Sequence, residues 1–159
     1  MSPLNTMEDF RRDIAYRVLK REDGSILLTG TLQDRFHDIE MQVDVDAERM
    51  AITDIRAVFR RSPTSDCRNV SAQLQKLVGT VIGKGLNRRL MATLGGSEEG
   101  CGNLRSMLSG LLPLALNVRA SAGITDEREL LDTIHRQLRG TCAGYAGPVP
   151  GDASQKDAS

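Results

Sequence analysis

Between residues 39 and 45 the chain alternates strictly. Ile39, Met41, Val43 and Val45 are apolar, and Glu40, Gln42 and Asp44 between them are polar. Side chains of an extended strand point to opposite faces in turn, so this stretch reads as a strand with one face buried and the other wet. Further on the period changes. Val70, Leu74, Leu77, Val78 and Val81 stand at i, i+4, i+7, i+8 and i+11, which is one face of a helix. The switch from period 2 to period 3.6 happens once. A run of strands followed by a run of helices is the pattern of an α+β fold.

The rest of the chain fits that frame. Ile14, Tyr16 and Val18 alternate across Asp13–Lys20, Asp23-Gly24 is a hairpin signal, and Ser25–Leu32 is the returning strand. After Asp46–Arg49, a fourth strand runs from Met50 to Phe59, and a slip in its apolar phase predicts a β-bulge near Asp54. Short connections make this an antiparallel four-stranded meander over about 13–59. It packs against three to four helices over about 68–140. The first has Asp66 or Asn69 as cap and ends near Gly83 or Gly85. The second is Leu86–Leu94, and the third starts at Cys101 or Gly102 and is broken by Pro113, with Leu114–Val118 as its continuation. The last is opened by Thr125-Asp126, carries Leu131, Ile134 and Leu138 inward, and stops at Arg139-Gly140. A single domain over 10–145 is expected. The flanks 1–9 and 146–159 are expected to be flexible, the second being a disordered tail rich in Gly, Pro, Ala and Ser.

Bulk properties narrow the partners. Lys and Arg total 21 and so do Asp and Glu, and aromatic residues make up 3% of the chain. A neutral chain without a stacking platform is not expected to bind nucleic acid. No run approaches the roughly 20 apolar residues of a membrane span, and the polar start MSPLNTMEDFRRD lacks the apolar centre of a signal peptide. A cytoplasmic protein is therefore expected. Its three cysteines, at wide and irregular spacing, do not form a disulfide framework.

Those cysteines are the first candidates for chemistry. Cys101 follows a glycine and opens a helix, where free N–H groups and the dipole favour thiolate, while Glu98 and Glu99 oppose it. Its bland alternative is a small buried hydrophobe. Cys67 precedes the first helix, and Cys142 follows the last one. All three fall at element ends rather than within apolar stripes. They are the candidate ligands of a soft divalent metal or an iron–sulfur cluster, although no C-x-x-C pair is present. His37 beside Asp38 is a candidate ligand or general base, and His135 reads as a solvated residue. The glycines of Val78–Gly85 lie within or after a helix, so a phosphate loop is not expected there.

A resemblance to a bacterial family runs from about Arg11 to Leu116. Its landmarks are Leu32-Gln33-Asp34, Phe36-His37-Asp38-Ile39, Val43-Asp44-Val45-Asp46, Ser62-Pro63 before Cys67, Leu77-Val78-Gly79, Ile82-Gly83-Lys84-Gly85, Leu94-Gly95-Gly96 and Gly100-Cys101-Gly102-Asn103-Leu104. In these the chain resembles a domain of unknown function, the family numbered twenty-eight eighty-nine. That family commonly has Gly-Cys-Thr-His-Leu at the last landmark, so Asn103 stands where a His would be. Over about Met41 to Leu116 the order of parts is also similar in layout to iron–sulfur cluster assembly scaffold proteins. The resemblance implies the fold and the singled-out positions, and supplies no reaction.

Three functional readings follow. The first is a thiol-rich site of Cys67, Cys101 and Cys142 that binds a soft metal or iron–sulfur species or handles sulfur. The second is a non-catalytic interaction module with structural cysteines, whose partner is another protein. The third is a thiol-dependent enzyme with Cys101 as nucleophile and His37 as base.

Overall fold

A computed structural model describes residues 8–95, 98–140 and 143–153. The chain divides into two compact units, residues 1–115 and 116–159. In the first unit, strands β1 (Asp13–Lys20), β2 (Ile26–Gln33), β3 (Asp38–Asp46) and β4 (Ala51–Arg61) form one antiparallel sheet in sequence order. The meander is as the alternation predicts. Ile39, Met41, Val43 and Val45 are fully buried beside Ile26, Leu28 and Leu32 of β2 and Ile52 and Ile55 of β4. Met50 belongs to the turn before β4, with a positive φ of 52°. Asp44 pairs with Asp54 and Val45 with Ile52, which leaves Thr53 as the extra residue of the bulge expected near Asp54.

Helices α1 (Ser71–Gln75), α2 (Leu86–Leu94) and α3 (Gly102–Leu111) cover the apolar face of the sheet. α1 packs on β4, α3 packs on β2 and β1, and α2 touches both α1 and α3. Leu74, Leu77, Leu90, Leu94, Leu104, Met107, Leu108 and Leu111 supply their side of the core. Tyr16 of β1 reaches under α3, where a Cβ on Gly110 would lie 2.6 Å from its hydroxyl.

The first helix differs from its predicted form. Ser65–Val70 is a 3₁₀ turn, α1 is short, and the chain leaves the helix at Gly79, whose φ is +89°. The backbone then runs beside the start of β4. Gly79 N donates to Ile52 O, Ile52 N to Thr80 O, and Ile82 N to Met50 O, at 2.7, 3.0 and 2.8 Å. Val78 and Val81 matched the helical period but are exposed, and Ile82 is buried instead. Sheet hydrogen bonds replace the helical ones here, because Gly79 adopts a left-handed conformation that side-chain-bearing residues avoid.

This excursion makes the two edges of the sheet unequal. The β4 edge is covered at Met50–Ile52 by residues 79–82, and Gln75 Nε2 donates to Ile55 O at 2.8 Å. β1 is the opposite edge. Arg21 N donates to Ser25 O at 2.8 Å and Gly24 N to Arg21 O at 3.1 Å, so Arg21 directs its main-chain groups toward β2. Main-chain groups alternate along an antiparallel strand. Asp13, Ala15, Arg17 and Leu19 therefore also bond inward, and Ile14, Tyr16, Val18 and Lys20 point their N–H and C=O groups outward. No described residue takes up those outward groups.

Helix α4 (Leu114–Ala120) follows Pro113 and crosses from the first unit into the second. In the second unit, α5 (Glu127–Leu138) is capped by Asp126, whose Oδ1 accepts from Glu129 N at 2.8 Å. Leu131 was expected to face inward but is exposed. A 3₁₀ turn at Ala143–Tyr145 and a helical turn at Pro150–Ala153 follow, with Val149 buried between them. Residues 154–159 lie outside the described residues. No helix among the described residues is long and apolar enough to cross a membrane.

Candidate functional site

Asp34 stands at the end of β2 and folds the β2–β3 connection around its own carboxylate. Its Oδ1 accepts from Phe36 N and His37 N, both at 2.8 Å, and its backbone N–H donates to His37 O at 3.0 Å. Asp suits this turn because a short carboxylate reaches the amides two and three residues on. The same oxygen lies 3.0 Å from His37 Nδ1, and Oδ2 accepts from Arg12 Nε at 2.9 Å. Arg61 at the end of β4 donates to Asp34 O at 3.0 Å.

The carboxylate of Asp34 is fully buried. Burial alone would raise its pKa, but the hydrogen bonds from His37, Phe36 N and Arg12 outweigh that, and the net displacement is downward. With the carboxylate ionised, neutral His37 places its proton on Nδ1. That leaves Nε2 as an acceptor, and Asn103 Nδ2 lies 3.2 Å from it. Asn103 Oδ1 in turn accepts from Arg12 Nη1 at 3.1 Å. Arg12, Asp34, His37 and Asn103 thus form a closed ring of hydrogen bonds. It ties the entry to β1, the β2–β3 turn and the first turn of α3. Phe10 and Phe36 stack above it, with ring centroids 6.1 Å apart.

The acid that orients His37 is therefore Asp34, three residues before it, and not the adjacent Asp38. Asp38 faces Arg60 at 3.8 Å. Neither Arg12 nor Asn103 stood out in the sequence as a partner of His37. The one local signal was the Asp-x-x-His spacing, which is that of an Asp side chain closing a turn. His135, expected to be solvated, lies 3.1 Å from Gly147 O through Nε2 and stands edge-on to Tyr145.

Cys101 is the N-cap residue of α3, with an extended backbone and no side-chain bond to the first turn. Its N–H donates to Leu94 O at 3.0 Å, which closes the loop after α2. A Cβ at Gly100 would collide with Leu94 O, so this approach requires glycine. Cys101 is half-buried, and its neighbour in the helix, Asn103, rather than its own thiol, meets His37. Cys67 is half-buried in the 3₁₀ turn before α1, with Sγ 3.7 Å from Thr64 Oγ1. The helices that follow the two cysteines lie over different strands, with α2 against both. Cys142 lies outside the described residues. Among the described residues, no group of three or more His, Cys, Asp or Glu side chains is placed to hold a metal. Glu99, beside Cys101, accepts from the buried Gln73 at 2.8 Å.

A four-stranded meander under three helices, pinned at one corner by an Asp–His–Asn–Arg ring, defines a small α+β domain whose β1 edge is unmet by any described residue and whose β4 edge is met over Met50–Ile55. The chain belongs to the family described as Protein of unknown function (DUF2889), whose model matches residues 10–116. The matched region takes in the whole sheet, α1 to α3 and all four residues of the ring. No curated protein and no solved structure matches the chain significantly.

Proposed function

We propose that this protein is a non-catalytic interaction module that accepts a protein strand along the open edge of β1. The observation that carries the reading is the inequality of the two sheet edges. A regular eight-residue edge strand is a template for strand addition, and proteins ordinarily blunt such an edge. Here the β4 edge is covered over Met50–Ile55 by residues 79–82 and Gln75, and beyond that it carries the exposed charges of Arg56, Arg60 and Arg61, which also blunt an edge. β1 instead offers outward main-chain groups and the exposed side chains of Ile14, Tyr16 and Leu19. The ring around His37 supports the same reading, since both imidazole nitrogens have partners within the protein. It holds β1 in place from Arg12, one residue ahead of the strand.

The test is a photoreactive amino acid placed at Leu19 on β1 or at Val58 on β4, both exposed. The protein would be irradiated in its native cells. Discrete protein adducts from position 19 and none from position 58 are expected. Absence of adducts at position 19 would sink the module reading.

One observation favours a second reading. Cys101 sits at the N-cap of α3 with first-turn amides that no side chain caps. A thiolate there would be stabilised by those amides. Such a thiol would serve soft-metal binding or sulfur chemistry without the expected help of Cys67, whose helix lies over a different strand, or of His37, whose ring nitrogens meet Asp34 and Asn103. Metal and sulfide analysis of anaerobically purified protein tests it, and stoichiometric metal lost in Cys101→Ser would displace the module reading.

A further inference from the structure

We infer that the strand taken up by β1 is β1 of a second copy of this chain, paired antiparallel about a twofold axis at Ala15. This rests on the strand-binding reading above and names its partner. The argument begins with the geometry of self-pairing. A twofold axis perpendicular to the sheet sets residue i opposite residue j on the same face, so the sum of paired numbers is even. Outward main-chain groups belong to Ile14, Tyr16, Val18 and Lys20, so the hydrogen-bonded pairs must be drawn from these.

Placing the axis at Ala15 meets both conditions. Ile14 then exchanges hydrogen bonds with Tyr16 of the other copy, and Tyr16 with Ile14. These two side chains lie on the core side of the sheet, since they pair with Leu32 and Gly30 of β2. They are 44% and 37% exposed, because at the edge no further strand flanks them. Joining the edges covers both on both copies.

On the opposite face, Asp13 stands across from Arg17 of the other copy, twice by symmetry. Arg17 is exposed and has no hydrogen-bond or ion-pair partner among the described residues. Asp13 uses only Oδ1, toward the exposed Arg11 at 3.1 Å. Between these charge pairs the two Ala15 residues meet as a non-hydrogen-bonded pair, the closer kind, where a small side chain fits. Moving the axis to Arg17 would set two arginines face to face, and the Asp13–Arg21 pairs it creates would compete with the existing Arg21–Asp44 pair. Moving it to Tyr16 would set Arg17 against Ala15 and Asp13 against Leu19, with no charge pair. Charge complementarity therefore selects both the partner and the register, and the product is a continuous eight-stranded sheet.

The experiment measures mass in solution by light scattering and sedimentation, with circular dichroism as the check on folding. The wild-type chain is expected to be dimeric at about 100 μM, far above a micromolar dissociation constant. Arg17→Asp puts two aspartates opposite each other at each end and should weaken the dimer roughly tenfold or more, and Asp13→Arg combined with Arg17→Asp should restore it. In a chain with Cys67, Cys101 and Cys142 changed to Ser, Ala15→Cys should form an intermolecular disulfide under mild oxidation, because that pair brings the two Cα atoms to about 4.5 Å. A monomeric wild type, an Arg17→Asp dimer as tight as wild type, or an unlinked Ala15→Cys protein would each overturn the inference. Adducts from position 19 to a different protein, with the chain itself monomeric, would overturn self-pairing and leave the module reading standing.

Discussion

The carboxylate of Asp34 is the most consequential polar group in the domain, and replacing it gives a direct measure of what the ring contributes. Asp34→Ala removes the acceptor of two backbone amides, of the His37 ring and of Arg12 at once. The amides of Phe36 and His37 lose their partner, and each unmet buried donor costs about 1–3 kcal/mol. Breaking a buried charge pair costs about 3–5 kcal/mol when one partner is removed. Arg12 is about a third exposed and Phe36 is exposed as well, so water recovers much of both losses and the total falls below the plain sum, to about 3 kcal/mol. Asp34→Asn keeps an oxygen for the two amides but turns an N–H₂ group toward either Arg12 or the His37 N–H, at a cost of about 2 kcal/mol. Urea unfolding of the three proteins, read at constant slope, tests the order wild type, Asn, Ala.

Acid titration adds a second readout. The folded-state pKa of Asp34 is displaced below its unfolded value, so its contribution is fully present above the unfolded pKa and is lost as pH falls through the folded one. Asp34→Asn should therefore flatten the acid limb of the stability profile. An Ala variant less than about 1 kcal/mol below wild type, or Asn and Ala variants of equal stability, would refute the reasoning.

Three further outcomes follow from local geometry. Gly110→Ala forces a Cβ to within 2.6 Å of the Tyr16 hydroxyl and should lower stability by about 1–3 kcal/mol in thermal or urea melts, whereas at Gly30 the nearest atom is a movable Leu111 methyl at 3.3 Å and Gly30→Ala should cost less. Gly79→Ala meets no neighbouring atom, yet its φ of +89° should cost about 1–2 kcal/mol, measured the same way, because strain alone acts there. Asp126→Ala should cost about 1 kcal/mol and accelerate amide exchange at the start of α5, and an unchanged exchange rate for Glu129 N would count against the cap.

The sheet was legible because each strand announces itself locally. Ile39 to Val45 alternate without a fault, and the phase slip in β4 marks the bulge that the register places at Thr53. The first helix was over-read for an equally local reason. Val78 and Val81 keep the helical period, but periodicity does not register that Gly79 turns the backbone onto the β4 edge. The site was legible only in part. His37 stood out, and its neighbour Asp38 drew attention away from Asp34, because adjacency in sequence is not contact at the mouth of a strand. Arg12 and Asn103 carry no pattern linking them to His37, since only the packing of α3 against β1 and β2 brings them together. Cys67 and Cys101 look alike in the sequence, each just ahead of a helix, and the sequence does not say that those helices lie over different strands.

The hydrogen bond from Arg12 to Asn103 joins residues 91 positions apart. Every strand pairing in the meander is between neighbours in the chain, so the sheet can zip up from its turns with little loop entropy to overcome. The ring cannot close until α3 has docked, which makes it a late event on the folding route. Interactions made after the transition state leave the folding rate alone and slow unfolding. The ring is then a kinetic latch: its loss would shorten the lifetime of the native state while the domain still folded at its usual speed.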